Sequence, residues 1–482
     1  MDPFHVQILH PGAQVRNLQI VELKTLHQRD HDRRTPIMYG FKVDCEITVA
    51  EYIREVKSTG AIRKGMGTKD KPLKEKYARD VEIQWWVASG CNIEIPSIEL
   101  IYVDKKYKRP DPGFSSEDLF AGMEPKNFFK RKEIFREIRD SREDTQAEVG
   151  RYLRALSGEE PEVEPSKKLC SGAPGGLCDF WEQCTADKPD DWVDVLYYPR
   201  GKQITCLKNE GKNRLSDLAI EDGLGPEQGR MIRSVQADQD IIEETLGSDL
   251  RKIDPPAIHL DFEYLAGVAL PIFAGTRPFE VVPFQFSAHR LNEDGSIDHI
   301  GEFLATGTED PRQKFAEKLI ALLDGTDEPI VAYNAKSAEK SVIEGLIKLY
   351  PELAVSLGRI NARIEDVLIV FRDNVMLRQM ITKESINGGG FFSLKNVAPA
   401  FVDGFTYDDL GVVSNGGAAM ETFFQLITDE PPIIVEADGT KRHATKKELR
   451  DSLLAYCKKD TEATAEIHKK LLALTDIAPS HG

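Results

Sequence analysis

The sequence lacks several features that would place the protein in a special class. No apolar run approaches the length of a membrane-spanning helix, about eighteen residues, and the N-terminus has no charged segment followed by an apolar one. We therefore expect a cytoplasmic protein. Basic residues are not in excess, because 63 Lys and Arg stand against 80 Asp and Glu and give a net charge of -17. This balance excludes a uniformly basic nucleic-acid coat, but it allows a local basic groove or a carboxylate group that binds divalent metal.

Cysteine is scarce, and Asp/Asn-rich loops with the usual calcium-binding spacing are absent. Calcium binding without chemistry is therefore the least favoured explanation of the acidic motifs. The seven cysteines are unevenly spaced and do not predict a disulfide framework in a cytoplasmic protein. Three of them, Cys170, Cys178 and Cys184, fall in the Gly/Pro-containing stretch LCSGAPGGLCDFWEQC. Three thiolates in one short loop predict metal binding.

The length and the order of the elements predict a multidomain α/β protein. A chain of 482 residues exceeds one ordinary core, and about two to four domains are expected. Residues 35–103 alternate strand-like segments with the helical stretch EKYARDVEIQWWVASG. Residues 115–157 have the composition of charged helices, and residues 190–252 form a connector of short strands and helices. A second α/β unit starts near residue 253.

The elements of this second unit can be predicted in order. AIHLDFEY, EVVPFQFSAHRL and HIGEFLAT predict three antiparallel strands. A helix with Phe315 and Leu319 on its apolar face follows, and then the strand EPIVAYN and a helix that we expect Ser337 to cap. The unit closes with a helix of about 25 residues, for which Thr445 and Glu448 predict a capping box.

Two carboxylates, Asp261 and Glu263, lie one residue apart in the first of these strands. Side chains alternate between the two faces of a strand, so both acids point the same way. A solvent-facing edge strand is the ordinary explanation. However, the apolar run before the acids is typical of a buried central strand, where two like charges are costly unless a cation neutralises them. The pattern therefore also allows a divalent metal site.

Residues further along the chain can complete such a site, because a two-metal centre needs about four carboxylates. Tyr456 and Asp460 are four residues apart in the predicted last helix and share one face. Glu339 falls in the first turn of the helix that follows Asn334. Each has a simpler explanation: Tyr456 can belong to the core, Asp460 can be a solvated charge, and an acid in a first turn interacts favourably with the helix dipole.

The front of the chain contains a second set of candidate residues. Asp44 precedes Glu55 by eleven residues across a predicted hairpin, and Lys57 shares a strand face with Glu55. The two acids can share a divalent ion, while Lys57 can polarise water or stabilise a pentavalent phosphorus. Gln84 lies in the helix that follows. A solvated strand face is the simpler explanation of Glu55 and Lys57 taken alone.

Taken together, the motifs of the second unit resemble those of the DEDD exonucleases with the ribonuclease H fold, in the subclass that carries a tyrosine. The resemblance implies that Tyr456 orients or deprotonates the attacking water. It also implies that Mg²⁺ or Mn²⁺ is bound by Asp261, Glu263, Glu339 and Asp460.

Two further implications concern the nucleic acid. Asn334 would contact the substrate, and Lys395 in FFSLKNVAPAF would meet phosphate. One position departs from the family pattern, because Glu339 stands where such enzymes usually have Asp, and the interval from Asn334 is longer.

The front motifs resemble those of the PD-(D/E)XK nucleases of the RecB type, which carry an Asp, an ExK sequence and a helix with a Gln motif. The resemblance implies Mg²⁺ or Mn²⁺ at Asp44 and Glu55, a catalytic role for Lys57 and a substrate contact for Gln84.

Related RecB-type domains close a 4Fe-4S cluster with three cysteines that follow the nuclease core and one that precedes it. Here Cys170, Cys178 and Cys184 would be ligands. No cysteine precedes Cys45, so the fourth ligand is not identified in this chain. The alternatives are zinc and thiols that hold no metal.

Segments over nearly the whole chain resemble one bacterial family of predicted nucleases, domain of unknown function 2779; they include REVKSTG, CDFWEQC, HLDFEY, GTRPFEVVPFQFSAH, FFSLKNVAPAF and YCKKDTEA. The resemblance implies a restriction-endonuclease-like domain at 1–130, a helical and cysteine-containing segment at 131–190, a connector at 191–252 and a ribonuclease H-like mixed-sheet domain at 253–476. We expect a metal-dependent nuclease acting on DNA or RNA, with a 3′–5′ exonuclease site and a second, RecB-like site. The alternative is a nucleic-acid-binding scaffold in which one or both sites are inactive.

Overall fold

The computed structural model describes residues 20–24, 38–41, 52–55, 75–91, 98–115, 120–135, 138, 142–158, 165–166, 170, 178–219, 222, 224–383, 390–407, 410, 413, 415–428, 431–435 and 440–477. Over these ranges the protein is mixed α/β and is built from several sheets with helices packed on them. None of the helices in these ranges combines the length and the apolar character needed to cross a membrane.

The front region contains two small sheets. Its elements are β1 (Ile20–Lys24), β2 (Met38–Phe41), β3 (Tyr52–Glu55), α1 (Glu75–Gly90), β4 (Ile98–Val103), α2 (Pro125–Phe128), β5 (Phe129–Glu133) and α3 (Arg142–Leu156). β2 and β3 form the predicted antiparallel pair, and α1 follows as predicted. In the other sheet, β4 lies between a parallel β1 and an antiparallel β5.

Strand β5 corrects the prediction that residues 115–157 are helical. Its charged side chains suit a sheet edge, where they stay in solvent and pair with neighbouring acids. Arg131 lies 3.2 Å from Glu99 on β4, and Lys130 lies 2.8 Å from Asp104 just after it. These cross-strand ion pairs explain why a run of charges that is typical of a helix surface forms a strand here.

The connector is mainly helical and shares a core with the C-terminal unit. It follows α4 (Trp181–Cys184) of the cysteine-containing segment and contains α5 (Gln203–Asn209), α6 (Pro226–Ala237), β6 (Ile241–Ile242), α7 (Leu246–Leu250) and 3₁₀ turns at Val193–Val195, Leu215–Asp217 and Arg251–Ile253. Buried residues such as Trp181, Met231 and Leu250 pack in one apolar cluster with Phe371, Ile467 and other residues of the C-terminal unit.

The C-terminal unit is built on a five-stranded sheet. Its elements are β7 (Ala257–Leu265), β8 (Val282–Leu291), β9 (Ile297–Leu304), α8 (Arg312–Leu323), β10 (Ile330–Ala332), α9 (Glu339–Leu349), α10 (Ala354–Ala362), β11 (Ile364–Asp366), α11 (Val367–Asn374), β12 (Val375–Met376), α12 (Leu394–Phe401), α13 (Gly416–Thr428), β13 (Ile433–Val435), β14 (Lys441–His443) and α14 (Lys446–Ile477), with 3₁₀ turns at Pro351–Leu353 and Arg378–Met380. The strand order is β11-β10-β7-β8-β9. β7, β8 and β9 are antiparallel, as predicted, and β10 and β11 run parallel to β7.

Both faces of the central strand β7 are covered. Leu260 and Phe262 pack with Phe315 and Leu319 of α8 in a buried cluster, and the opposite face lies against α14. Burial on two sides explains the nearly continuous apolar sequence before the acids. An acidic side chain on the α14 face is therefore held inside the protein.

Two helix starts test the predicted caps. At α14 the capping box is confirmed, because the Thr445 N–H donates to Glu448 Oε2 (2.7 Å) and the Glu448 N–H donates to Thr445 Oγ1 (3.2 Å). At α9 the predicted Ser337 cap is wrong. Ala338 occupies the cap position, and the Ser337 N–H instead donates to the Asn334 carbonyl in a turn.

A group of buried histidines lies between the sheet and α14. His259 Nε2 is 3.1 Å from His468 Nδ1, and neither side chain has any exposed surface. His289, which pairs with His259 across the strands, has its Nδ1 2.7 Å from Thr461 Oγ1. Burial keeps these imidazoles neutral, since a charged ring without a counter-ion is costly there.

The free energy of unfolding is expected to fall below about pH 6.5, where histidine titrates in an unfolded chain. Burial lowers the pKa of His468 to about 4, and burial together with the charges of His299 and Lys458 lowers the pKa of His289 to about 4. As the pH falls from about 6.5 to about 4, the unfolded state therefore binds protons at these histidines while the folded state does not. The free energy of unfolding decreases by on the order of 3 kcal/mol per histidine.

Urea unfolding at about pH 7.5 and about pH 4.5 measures this loss. The variant His468→Gln should lose less stability between the two pH values than the wild type. The matched control is His443→Gln, because His443 is exposed in β14. Equal losses in all three proteins would contradict the prediction.

Candidate metal centre

Acidic residues of β7 and α14 meet on one face of the central strand. One carboxylate oxygen from each of Asp261, Glu263 and Asp460 lies within 4.8 Å of the other two. Asp460 and Glu263 are buried, and Asp261 keeps a partial exposure. Among the described residues, this is the only group of three or more such side chains with the spacing of metal ligands. The group can hold a divalent metal ion, as the strand and helix spacings predicted.

Glu339 is the first residue of α9 and is 1% exposed. Glu339 does not belong to the group of three, but its carboxyl interacts electrostatically with Asp261 of that group. Burial, followed by the negative charges of Asp261 and Asp366, raises the pKa of Glu339 well above its ordinary value. Its Oε2 atom has no hydrogen-bond partner in the described part of the chain. A buried carboxylate oxygen that lacks a donor fits a role as a cation ligand.

The carboxylates repel one another. Burial and the charge of Asp460 raise the pKa of Asp261 to about 7, although the charge of Lys395 and a hydrogen bond from the Cys457 thiol act in the opposite direction. The Cys457 Sγ is 3.6 Å from Asp261 Oδ2. Without a cation, therefore, the Asp261 carboxyl ionises at a higher pH than a free carboxyl group does.

The donor set fits a hard divalent cation. Mg²⁺ and Mn²⁺ prefer carboxylate oxygens, and the site offers these without thiolate or imidazole ligands in its group of three. A bound cation would also relieve the repulsion that raises the pKa of Asp261 and Glu339. The site is therefore chemically suited to these metals.

Glu263 also faces the start of helix α13. A Cβ atom built on Gly416, the first residue of that helix, would lie 3.5 Å from Glu263 Oε2. Backbone amides at a helix N-terminus favour negative charge nearby. The partial positive charge at the N-terminus of α13 therefore favours the ionised carboxylate of Glu263.

Two tyrosines and a lysine line the site. Tyr456, 2% exposed, donates a hydrogen bond to Asp460 one helical turn away. Burial, followed by the charges of Asp460, Glu263 and Asp261, raises the pKa of Tyr456 well above its ordinary value. The Lys395 ammonium lies 4.2 Å from the centre of the Tyr456 ring and 5.1 Å from that of Tyr407. Tyr456 thus stays protonated and can orient a water molecule, and Lys395 brings a positive charge to the acidic site.

Asn334 occupies a turn between β10 and α9. It has a left-handed backbone conformation with φ of 64°, and its N–H donates to Asp366 Oδ1 at 3.0 Å. Asp366 also accepts from the Leu368 N–H at the start of α11. Asn334 is exposed, as a substrate contact requires, and Asp366 fixes the turn that presents it.

Sequence reasoning missed three residues of this site. Cys457 follows Tyr456 and lies three residues before Asp460, so the helical period could have indicated it. Asp366 is the last residue of β11, so its position at a strand end was a second usable signal. Tyr407 lies beyond α12, and its pKa is raised by burial and by the charge of Asp460. No periodic pattern of the sequence indicates the place of Tyr407.

The predicted front site falls largely outside the described residues. Asp44 and Lys57 lie outside them, and for Glu55 only its place at the end of β3 is described. Gln84 is half-buried on α1. The structure therefore places Gln84 on the predicted helix but leaves the grouping of the front residues a prediction.

The cysteine turn is described only in part, since residues 171–177 fall outside. The Cys178 N–H donates to the Cys170 carbonyl at 2.9 Å, and Cys184 ends the short helix α4. In the described ranges, the three sulfurs do not form a group with the spacing of the carboxylates. Metal binding by these thiols stays a prediction.

Replacing Asp261 by Asn is expected to stabilise the metal-free protein above about pH 7. A folded-state pKa of about 7 exceeds the ordinary value of 3.8, so the folded wild type loses stability as the pH rises between these values. Removing the charge should increase the free energy of unfolding at about pH 8 by roughly 2–4 kcal/mol in EDTA. Thermal unfolding measures the change.

In the same assay, Mn²⁺ should stabilise the wild type and have little effect on Asp261→Asn. The matched control is Glu344→Gln, which removes an exposed carboxylate from α9. If Asp261→Asn were less stable than the wild type in EDTA, the carboxylates would not repel one another as expected. If Mn²⁺ stabilised the wild type and Asp261→Asn equally, Asp261 would not belong to a cation site.

Comparison with known proteins gives one family match. Residues 258–388 match the family described as Domain of unknown function (DUF2779). The matched segment begins in β7, contains Asp261, Glu263 and Glu339, and ends before Tyr456 and Asp460. No curated protein and no solved structure gives a significant match. The chain is thus similar to this family over the first part of the C-terminal unit.

Proposed function

We propose that the protein is a metal-dependent nuclease whose residues 253–476 form a ribonuclease H-like 3′–5′ exonuclease of the tyrosine-bearing DEDD class. The observation that carries the proposal is the approach of Asp261, Glu263 and Asp460 within 4.8 Å beside the buried Tyr456. If these four acids were ordinary solvated surface charges, they would have no reason to lie together with a tyrosine from distant parts of the sequence. Convergence inside the fold supports a site for cations.

The mixed sheet also supports this fold assignment. Three antiparallel strands, β7, β8 and β9, are followed by two strands that run parallel to the first. The acids of β7 lie on the central strand, and α14 crosses that strand to supply Asp460. The arrangement is the one expected if DxE and YxxxD motifs form one site.

Each residue has a separate task in this proposal. Divalent cations, when bound, supply the positive charge that stabilises the attacking and leaving oxygens of a phosphodiester. The ligands are Asp261, Glu263, Glu339 and Asp460. Tyr456 donates its hydroxyl hydrogen to Asp460, and its oxygen accepts a hydrogen bond that orients the attacking water. Lys395 contributes positive charge where phosphate approaches. Asn334, exposed at the turn before α9, contacts the substrate.

We extend the proposal to the front region, residues 1–130, as a second nuclease site of the RecB type. The antiparallel pair β2 and β3, followed by α1 with Gln84, supports this reading. Asp44, Glu55 and Lys57 would provide its chemistry. The segment 131–190 would hold an iron–sulfur cluster or zinc through Cys170, Cys178 and Cys184, and residues 191–252 would join the two units.

The proposed function is tested by incubating the protein with 5′-labelled single-stranded DNA and RNA in Mg²⁺, Mn²⁺ or EDTA. Shortening from the 3′ end in metal, and its absence in EDTA, is the expected result. The variant Lys57→Ala separates the two sites, because 3′ shortening should persist while cleavage by the front site is lost. Intact substrates under every metal condition would overturn the nuclease proposal; binding without cleavage would instead favour a nucleic-acid-binding scaffold.

A further inference from the structure

One lysine of α12 lies beside the acidic group without being one of its ligands. Lys395 is the second residue of α12, and its ammonium lies 4.2 Å from the centre of the Tyr456 ring and 5.1 Å from that of Tyr407. The Tyr456 hydroxyl in turn donates to Asp460. A single aromatic side chain thus links the ammonium to a carboxylate of the acidic group.

The helix that carries Lys395 is fixed by core packing. Val397 and Phe401 of α12 are buried in the same apolar cluster as Ile467 of α14. The ammonium of Lys470, also on α14, lies 5.3 Å from the centre of the Phe401 ring. Because the two helices share this core, the backbone at Lys395 keeps a fixed place relative to the acidic residue that α14 supplies.

The charge of Lys395 acts on the acidic group. Burial and the charge of Asp460 raise the pKa of Asp261 to about 7, and the charge of Lys395 acts in the opposite direction. Carboxylate oxygens of Asp261, Glu263 and Asp460 lie within 4.8 Å of one another, so their mutual repulsion is what the ammonium offsets. Lys395 therefore supplies part of the positive charge that a divalent cation would supply.

The aromatic contacts of this ammonium can be exchanged for others. Contacts between an ammonium and a ring are weak where water reaches the site, and Lys395 is half-buried. Its four-carbon stem lets the charge move while the helix stays in place. Phosphate oxygens form stronger, charge-assisted hydrogen bonds with an ammonium. A phosphate of nucleic acid can therefore draw the ammonium away from the rings.

The ammonium and a divalent cation cannot share the acidic group without repulsion. Glu263 is 8% exposed and Asp460 is 6% exposed, so little water lies between the charges to screen them. In such surroundings like charges repel one another over several ångströms. By linkage, whatever draws the ammonium away from the group must strengthen the binding of the cation.

We propose that Lys395 is an internal counter-cation of the acidic group, that it competes with the divalent cation, and that nucleic-acid phosphate relieves the competition by drawing the ammonium away from Tyr456 and Tyr407. The inference rests on the proposed nuclease function and adds a regulation of the same site. The protein binds its metal weakly until substrate arrives, and substrate and metal then bind cooperatively.

Calorimetric titration with Mn²⁺ tests the competition without cleavage. Lys395→Met keeps most of the length of the side chain but loses its charge, and it should lower the Kd for Mn²⁺ about tenfold. Lys395→Arg keeps the charge and should leave the Kd within about twofold of the wild-type value. The sign separates this role from a structural one, because a variant that merely disturbs the site would bind Mn²⁺ more weakly.

Thymidine 5′-monophosphate tests the role of phosphate, since it offers a phosphate group without a phosphodiester to cleave. At saturation it should lower the Kd of the wild type for Mn²⁺ about tenfold more than it lowers that of Lys395→Met. Only the wild type has an ammonium for the phosphate to draw away. Equal effects of the nucleotide on the two proteins would contradict this part of the proposal.

Lys470→Met is the matched control. It removes an ammonium that also lies over a ring of α12, but Lys470 is ten residues beyond Asp460, about 15 Å along α14. Its Kd for Mn²⁺ should equal that of the wild type. Thermal unfolding in excess Mn²⁺ verifies that each variant is folded.

Three results would overturn the proposal: a Kd of Lys395→Met equal to or above the wild-type value, the same Kd in Lys395→Arg as in Lys395→Met, or no binding of Mn²⁺ by Lys395→Met. Cleavage of a single strand by the wild type is measured in parallel. Normal cleavage together with any of these results removes the role of Lys395 alone, whereas absence of cleavage removes the proposed function.

Discussion

Asp460→Asn is expected to lower the rate of metal-dependent nucleic-acid hydrolysis at least about 1,000-fold, which corresponds to about 4 kcal/mol of transition-state stabilisation. Asp460 is 6% exposed and lies within 4.8 Å of Asp261 and Glu263 through its carboxylate. An amide has nearly the same shape but cannot supply the negative charge that holds a divalent cation. The rate should fall through kcat, measured with a 5′-labelled single strand at saturating substrate.

The control for this loss is Asp451→Asn on the same helix. Asp451 is exposed and pairs with Lys447 at 2.5 Å, so its neutralisation should leave the rate within about twofold, as exposed ion pairs contribute little. Far-UV circular dichroism and thermal unfolding show whether both variants remain folded. If Asp460→Asn retains a tenth or more of the wild-type rate, the acidic group is not the hydrolytic centre.

Tyr456→Phe is expected to lower kcat about 100-fold while metal affinity and KM stay close to the wild-type values. The phenyl ring keeps the packing with Leu453 and Phe423 in the buried cluster, so the loss is confined to the hydroxyl. That hydroxyl donates to Asp460 and faces the carboxylates. Loss of one orienting hydrogen bond displaces the attacking water, and a misplacement of this kind costs about 100-fold.

The same change at Tyr350 is the control. Tyr350 is the residue that follows α9, and it packs against the buried cluster of α8 and α9, on the face of the sheet opposite to the carboxylates. Mn²⁺ binding measured by calorimetry separates the outcomes. A normal kcat in Tyr456→Phe would show that the tyrosine is only part of the core, and a loss of metal affinity would show that it organises the ligands rather than the water.

The part of the site that could be predicted depends on local periodicity. Asp261 and Glu263 share a face because a strand repeats every two residues, and Tyr456 and Asp460 share one because a helix repeats every 3.6 residues. Glu339 was predictable from its position after a strand. These elements were identified because their apolar patterns are long, and at α14 also because the capping box is explicit.

The rest depends on contacts that no local pattern specifies. Strand β5 was missed because its ion partners Glu99 and Asp104 come from another part of the chain. Tyr407 reaches the site through tertiary packing alone. The front region meets the loop before β8 through tertiary contacts, because the backbone at Arg109 pairs with that at Thr276, more than 160 residues away.

Helix α14 extends over 32 residues, longer than predicted, because its second half is also buried. Leu453 and Tyr456 pack in the cluster next to the metal centre, whereas Ile467 and Leu471 pack with Trp192 and other residues of the connector. Asp460 lies between these two contact regions on one continuous helix. A loss of packing in the connector core would therefore be transmitted along α14 and would displace the Asp460 carboxylate from Asp261 and Glu263.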